Sequence, residues 1–356
     1  MKKIKVFLGG YINSINAQNL NCRALAKYLD PNRFDVAALK LYSGTLPDEP
    51  FTKHIKVFTA FYPFKLSRYL AYTMGIFWAD IVYLPKGELP KYTTFLTKLL
   101  KKKTFSTIEI TYDESNLKNI TNHFGSLDNM KTYYDSFDRL FSITGFMRRK
   151  NEKLTGIKTD PKTLYLGTDI TTFLNESKKT DHLGNVIIIG NDLIRKGIYE
   201  YLDLAKQIPS ITFHIVGSGN GKINIPDEIK KRNLDNIIYH GTLTHNELKN
   251  LLKIIDLHIF PSRSEGFPKV TLETAAAGVP SLVYSDYGAD EWITHNKDGF
   301  VVHTLNEMEE IIKKLSDEPE KLREVSKNAI QLAKRFDWDT VIKDWEAAME
   351  ELYNEK

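Results

Sequence analysis

The chain has 356 residues, more than one compact core usually covers at roughly 100–200 residues per domain, so its length predicts two domains of similar size and excludes a single small binding module. Its 42% hydrophobic and 26% charged residues are those of an ordinary folded protein and exclude a disordered one. Lys and Arg number 49 against 45 Asp and Glu, a formal charge of +4 that is too small for wrapping nucleic acid to be the main business of the chain.

The first apolar run, residues 4–10, is too short for a secretory signal and is interrupted by Lys5, so it reads as a strand over 4–9. Strands follow at 34–41, 55–60, 81–85, 107–111, 140–144 and 163–166, with helices at 19–29, 66–77, 92–103 and 146–154. Residues 58–84, the nearest approach to a membrane-spanning run, carry Lys65, Arg68 and Asp80, and no spanning segment is expected. Residues 92–105 are basic and amphipathic, which suits either contact with anionic lipid or a plain helix with lysines at its C-terminus. Cys22, the lone cysteine, makes neither an internal disulfide nor a cysteine-rich zinc site and points to the cytoplasm.

Residues 167–184 are polar enough for a linker, placed over 171–184 between domains at 1–170 and 185–335. Beyond them the alternation is clearer. Strands are expected at 185–190, 212–217, 237–241, 258–262, 281–285 and 300–303, and helices at 197–208, 245–255, 269–277, 290–295 and 305–316, the last with Asn306 placed to cap. Alternating strands and helices predict an α/β chain of two doubly wound, Rossmann-like domains facing a cleft, with ligands at the carboxyl ends of the strands.

The densest segment is Phe260-Pro-Ser-Arg-Ser-Glu-Gly-Phe-Pro-Lys-Val-Thr-Leu-Glu-Thr-Ala-Ala-Ala-Gly-Val-Pro280. Glu265 falls in a turn after a strand and Glu273 about one turn into the next helix, so both carboxylates can face one site near a helix N-terminus, where free N–H groups favour anions. A diphosphate against that terminus, with carboxylates accepting from hydroxyls, suits a nucleotide sugar. Either glutamate alone reads more simply as a dipole partner or a solvated loop charge.

The whole pattern resembles the signature of retaining glycosyltransferases of family 4, the group 1 type. In the same order stand Val186–Gly190 with Lys196-Gly197, Phe213–Gly219, His240-Gly241, and Gly288–Glu291 with Asp298–Val302. The resemblance covers nearly all of residues 185–303 and implies the GT-B fold, with the nucleotide sugar held mainly by the C-terminal domain and the tail, 336–356, crossing back to the first. It implies that Glu265 contacts the donor sugar, Glu273 the ribose, and the backbone of Gly266, Phe267, Pro268 and Lys269 the sugar and diphosphate, although proline has no N–H to give. Lys196 matches the family's phosphate-binding lysine. An arginine commonly follows the glycine of the preceding strand; here Asn191 stands there, and Arg195 is the candidate second cation, although neighbours on a helix do not share one face. Gly9-Gly10 matches the N-terminal glycine loop near the donor phosphates, and Gly217 ends a donor-side strand. Many relatives have a histidine on the acceptor side; this chain offers Tyr112, Asp113 and His123 instead, with Asp113 also suited to cap the following helix.

Other chemistries are poorly supported. Gly217-Ser-Gly-Asn-Gly221 lacks the last glycine of a dinucleotide fingerprint, since Lys222 stands there, and residues 222–226 are expected to open no helix. Asp337-Trp-Asp339 mimics a metal-binding pair but suits a helix start, and no metal or cofactor is expected. No histidine pair or nucleophile elbow supports hydrolysis. The expectation is a retaining, metal-independent glycosyltransferase acting on a nucleotide-sugar donor and a glycan, glycolipid or lipid-linked acceptor in surface polysaccharide or glycolipid synthesis, in contact with the cytoplasmic face of a membrane. A non-catalytic partner subunit on the same fold is the alternative.

Overall fold

Runs such as Val186–Ile189 contain no polar residue, so a strand made of them must be covered on both faces, and helices placed on both sides of a parallel sheet meet that need. The computed structural model describes residues 2–178 and 180–355. Their contacts form two units: residues up to Leu166 together with those from Trp338 on, and Gly167–Asp337.

The first unit runs β1 (Ile4–Tyr11), α1 (Ala17–Tyr28), β2 (Phe34–Leu41), β3 (Lys56–Ala60), α2 (Phe64–Trp78), β4 (Ile81–Tyr83), α3 (Pro90–Leu99), β5 (Lys103–Ile108), α4 (Glu114–Phe124), α5 (Leu127–Tyr134), β6 (Arg139–Ser142) and α6 (Gly145–Thr155). The second runs β7 (Asn185–Gly190), α7 (Ile198–Gln207), β8 (Thr212–Gly217), α8 (Ile225–Lys231), β9 (Ile237–Gly241), α9 (His245–Leu252), β10 (Leu257–Phe260), α10 (Lys269–Ala276), β11 (Ser281–Tyr284), β12 (Phe300–Val302), α11 (Leu305–Asp317) and α12 (Pro319–Arg335); α13 (Trp338–Asn354) then packs on the first. Each sheet has six parallel strands, in the orders β3-β2-β1-β4-β5-β6 and β12-β11-β10-β7-β8-β9. Both have the doubly wound topology expected, and each reverses direction once, between β1 and β4 in the first sheet and between β7 and β10 in the second.

The second core gathers Val186, Ile188, Phe213, Ile215, Leu257 and Ile259 from the strands against Leu202, Met308 and Leu322 from the helices, all fully buried. Tyr201 spans it, donating its hydroxyl to the carbonyls of Val186 and His214.

Several local expectations change. The stretch 171–184 is not a free linker: Phe173 enters an apolar cluster with Leu252 and Ala329, and Thr180 and Leu183 are buried, so few apolar residues suffice when each is used. Residues 163–166 form only an isolated bridge, Ser142 to Thr163, and 290–295 only a 3-10 turn, Ala289–Glu291. Thr304, not Asn306, caps α11 by accepting from the Glu307 N–H. A helix does open after the Gly217–Gly221 turn: Asn224 caps α8, and Pro226 falls in its first turn, where no N–H is needed.

Candidate functional site

A cavity of about 550 Å³ opens in the second unit, where the sheet order reverses. The segment after β7 supplies Asn191, Asp192, Arg195 and Lys196, the turn after β10 supplies Glu265, Phe267, Pro268 and Lys269, and the first turns of α10 supply Val270 and Glu273. The end of β8 contributes Gly217.

Close approach shapes this floor. Gly217 has φ +120°, and a Cβ there would lie 1.8 Å from the Gly190 carbonyl oxygen on the paired strand. A Cβ on Gly190 would in turn lie 2.7 Å from Lys196 Cγ, so the lysine stem occupies the space that glycine leaves.

Arg195 and Lys196 both reach Glu265: Arg195 Nη1 and Lys196 Nζ each stand 2.8 Å from Oε1. The objection that neighbouring helical residues diverge does not apply, because both lie in a turn and α7 starts only at Ile198, after Gly197 in the left-handed region. Ser262 Oγ is 2.6 Å from the same carboxylate oxygen, and Arg195 also donates to the Ser264 carbonyl at 2.9 Å. Lys196 is mostly buried and lies over the Phe260 ring at 4.7 Å; burial pulls its ammonium below the ordinary lysine range while Glu265 beside it opposes that fall.

Glu273 differs. Its carboxylate accepts no hydrogen bond among the described residues, and burial raises its pKa, with His245 and Lys269 nearby opposing the rise. A carboxylate desolvated without donors of its own is suited to receive hydroxyls from a ligand. Pro268 caps α10 with no side-chain bond, so the helix start brings no competing oxygen to the cavity. Phe267 turns its ring toward Trp292 and Phe336, at 5.1 and 5.5 Å, and is among the residues lining the cavity. Gly266 sits in the turn between Glu265 and Phe267.

The opposite wall, Thr242, Leu243, His245 and Leu248, went unread in the sequence. Its signal was the pair Thr244 and Glu247, which form a capping box that fixes the start of α9 and hence the wall's position.

The first-unit candidates fare otherwise. Gly9 and Gly10 lie inside β1 rather than in a loop after it; a Cβ at Gly9 would lie 2.9 Å from the Tyr83 carbonyl oxygen, and one at Gly10 2.6 Å from Cys22 Sγ, so internal packing requires both glycines. Tyr112 is fully buried, its hydroxyl 3.5 Å from that of Tyr134, and cannot present itself to an acceptor. Asp113 is engaged as the cap of α4, accepting from the Ser115 and Asn116 N–H groups, and His123 Nε2 lies 3.2 Å from the Gly87 carbonyl. What gathers beyond the carboxyl ends of β1 and β4 is Glu88, which accepts from the Tyr11 and Tyr72 hydroxyls at 3.0 and 3.2 Å and pairs with Lys86 at 3.2 Å. Sequence reasoning passed over this group, because neither Lys86 nor Glu88 belongs to a recognisable motif.

Known proteins resemble this chain in sequence and in fold. The family model of glycosyl transferases group 1 matches residues 169–332. An uncharacterized glycosyltransferase of Methanocaldococcus jannaschii is 24% identical over 217 residues, which span 60% of this chain and 60% of that relative. Among solved structures, a sucrose-phosphate synthase from Thermosynechococcus elongatus superposes with a TM-score of 0.77 at 14% identity, over 99% of both chains. Anabaena HepE, solved in complex with UDP-glucose, gives 0.70 at 17% identity over 98% of this chain and 100% of its own. At these identities the superpositions show a shared fold.

Proposed function

We propose, from a second unit that matches the family model of group 1 glycosyl transferases, that the chain moves a sugar from a nucleoside-diphosphate sugar to an acceptor hydroxyl, with retention of configuration and without a metal. The observation that carries this is the convergence of Lys196 and Arg195 on Glu265, beside the first turn of α10, in the cavity at the sheet's switch point. The leaving diphosphate gains charge as the glycosidic bond breaks. Two cations and a helix N-terminus placed beforehand stabilise that charge, the task a metal performs in other transferases.

Glu273 takes the ribose hydroxyls. Glu265 serves the sugar and also holds the two cations in place, since its Oε1 already receives donors from both. The acceptor oxygen attacks from the face the diphosphate leaves, and the reaction requires that it be held there rather than activated by a strong base. UDP-sugars are the first donors to test, given the ligand of the Anabaena structure. The acceptor is a glycan, glycolipid or lipid-linked sugar met on the cytoplasmic side of a membrane; no helix among the described residues is long and apolar enough to cross one.

Calorimetric titration with UDP-, GDP-, ADP- and dTDP-sugars tests the donor site. The expected result is selective binding of one nucleotide, weakened about tenfold to a hundredfold in Glu273→Ala through the loss of charge-assisted bonds. No binding of any donor would favour the non-catalytic alternative.

A further inference from the structure

Helix α2 is held to the first sheet by one face: Ser67, Ala71, Tyr72, Gly75 and Ile76 are buried, and Gly75 is so close that a Cβ there would lie 2.3 Å from the Phe7 ring. The outward face should therefore be polar. It is instead a stripe of Leu66, Leu70, Met74 and Phe77, spaced one turn apart and each 51–70% exposed, preceded by Tyr62 at 92%. Helix α3 lies alongside, joined through the Tyr69 and Tyr92 rings at 4.8 Å and the Thr73 and Tyr92 hydroxyls at 2.5 Å. It adds Phe95 and Leu99, both 62% exposed. So large a contiguous apolar face on a folded unit marks an interaction surface.

Along the two helices the charge has one sign. Residues 61–79 and 89–108 contain no Asp or Glu and seven Lys or Arg, of which Lys65, Lys91, Lys98 and Lys101 are exposed. We propose that the α2–α3 face docks on the surface of an anionic lipid bilayer, the stripe entering the headgroup boundary and the lysines meeting the lipid phosphates. A second copy of the chain is a poorer occupant, because a two-fold contact through this face would set cations against cations. Only 92–105 suggested such contact in the sequence; the larger apolar share comes from α2, whose exposed face the structure defines. The inference stands apart from the transferase reading.

Co-sedimentation of the full chain with vesicles tests it, using phosphatidylcholine alone and phosphatidylcholine mixed with phosphatidylglycerol. The chain should pellet with the anionic vesicles, stay in solution with the neutral ones, and be released by added salt. Two double variants, Leu70→Ser with Phe77→Ser and Lys65→Glu with Lys98→Glu, should each lower vesicle affinity about tenfold or more, while the melting temperature holds. If the α2 pair lowers the melting temperature, Phe95→Ser and the charge pair carry the test. Unchanged binding by the folded variants, equal binding to neutral vesicles, or a dimer that these variants dissociate while vesicles bind nothing would each overturn the proposal. Nucleotide binding measured on the same variants stays unchanged, so failure here is distinguishable from failure of the donor site.

Discussion

Lys196 keeps its charge in a buried position because Glu265 Oε1 is 2.8 Å away. The two effects oppose each other: burial favours the neutral amine and lowers the pKa, while the carboxylate favours the ammonium and raises it. Removing the carboxylate charge leaves burial unopposed, so the pKa of Lys196 falls further. If protonated Lys196 neutralises the leaving diphosphate, activity is present below that pKa and is lost as pH rises through it. Glu265→Gln is therefore expected to move the alkaline limb of the kcat/KM profile to lower pH, beside a loss in rate of about a hundredfold from the disordered cations. An alkaline limb that stays where the parent has it would mean that Glu265 does not set the charge of Lys196. Residue types alone could not show this arrangement. Glu265, Lys196 and Glu273 stood out through their motifs, but the meeting of Arg195 with Lys196 depends on α7 starting at Ile198, and the buried fate of Tyr112 depends on a core assembled from distant segments.

At the scale of elements, α13 carries a buried tryptophan into the first unit. Trp345 is fully buried, donates its indole N–H to the Tyr165 carbonyl at 2.9 Å and stands edge-on to Tyr83 at 5.7 Å. Trp345→Ala leaves a cavity and removes a buried hydrogen bond, and a loss of about 3–5 kcal/mol in unfolding free energy is expected from denaturant titration. A loss under about 1 kcal/mol would show that the helix is not integral to this unit. The strands were legible wherever a short Val- and Ile-rich run had to be covered on both faces, as at β7, β8 and β10. Two of the helices that escaped, α4 and α8, have physical reasons. α4 buries no residue fully, its apolar stripe is only Leu117, Ile120 and Phe124 among polar neighbours, and its start is fixed by the polar box of Asp113 and Asn116. α8 carries Pro226 as its second residue, which reads as a breaker except in the first turn.

For the molecule as a whole, alternation of strands and helices sufficed to expect two doubly wound halves, and each half has the same strand order about its own reversal point. The second half was the more legible because its ligand-facing residues come in short, spaced groups after strands; in the first half the candidate polar group, Tyr11, Tyr72, Lys86 and Glu88, is gathered from three separate segments. In the proposed reaction Lys196 stabilises the departing diphosphate of a nucleotide sugar. The direct measurement is nucleoside-diphosphate release from the donor that calorimetry selects, for the parent chain and Lys196→Ala, alongside donor affinity for both. Turnover is expected to fall about a hundredfold to a thousandfold, while donor affinity changes by no more than about tenfold, because the charge is needed most as the bond breaks. Equal turnover by the two chains would contradict it.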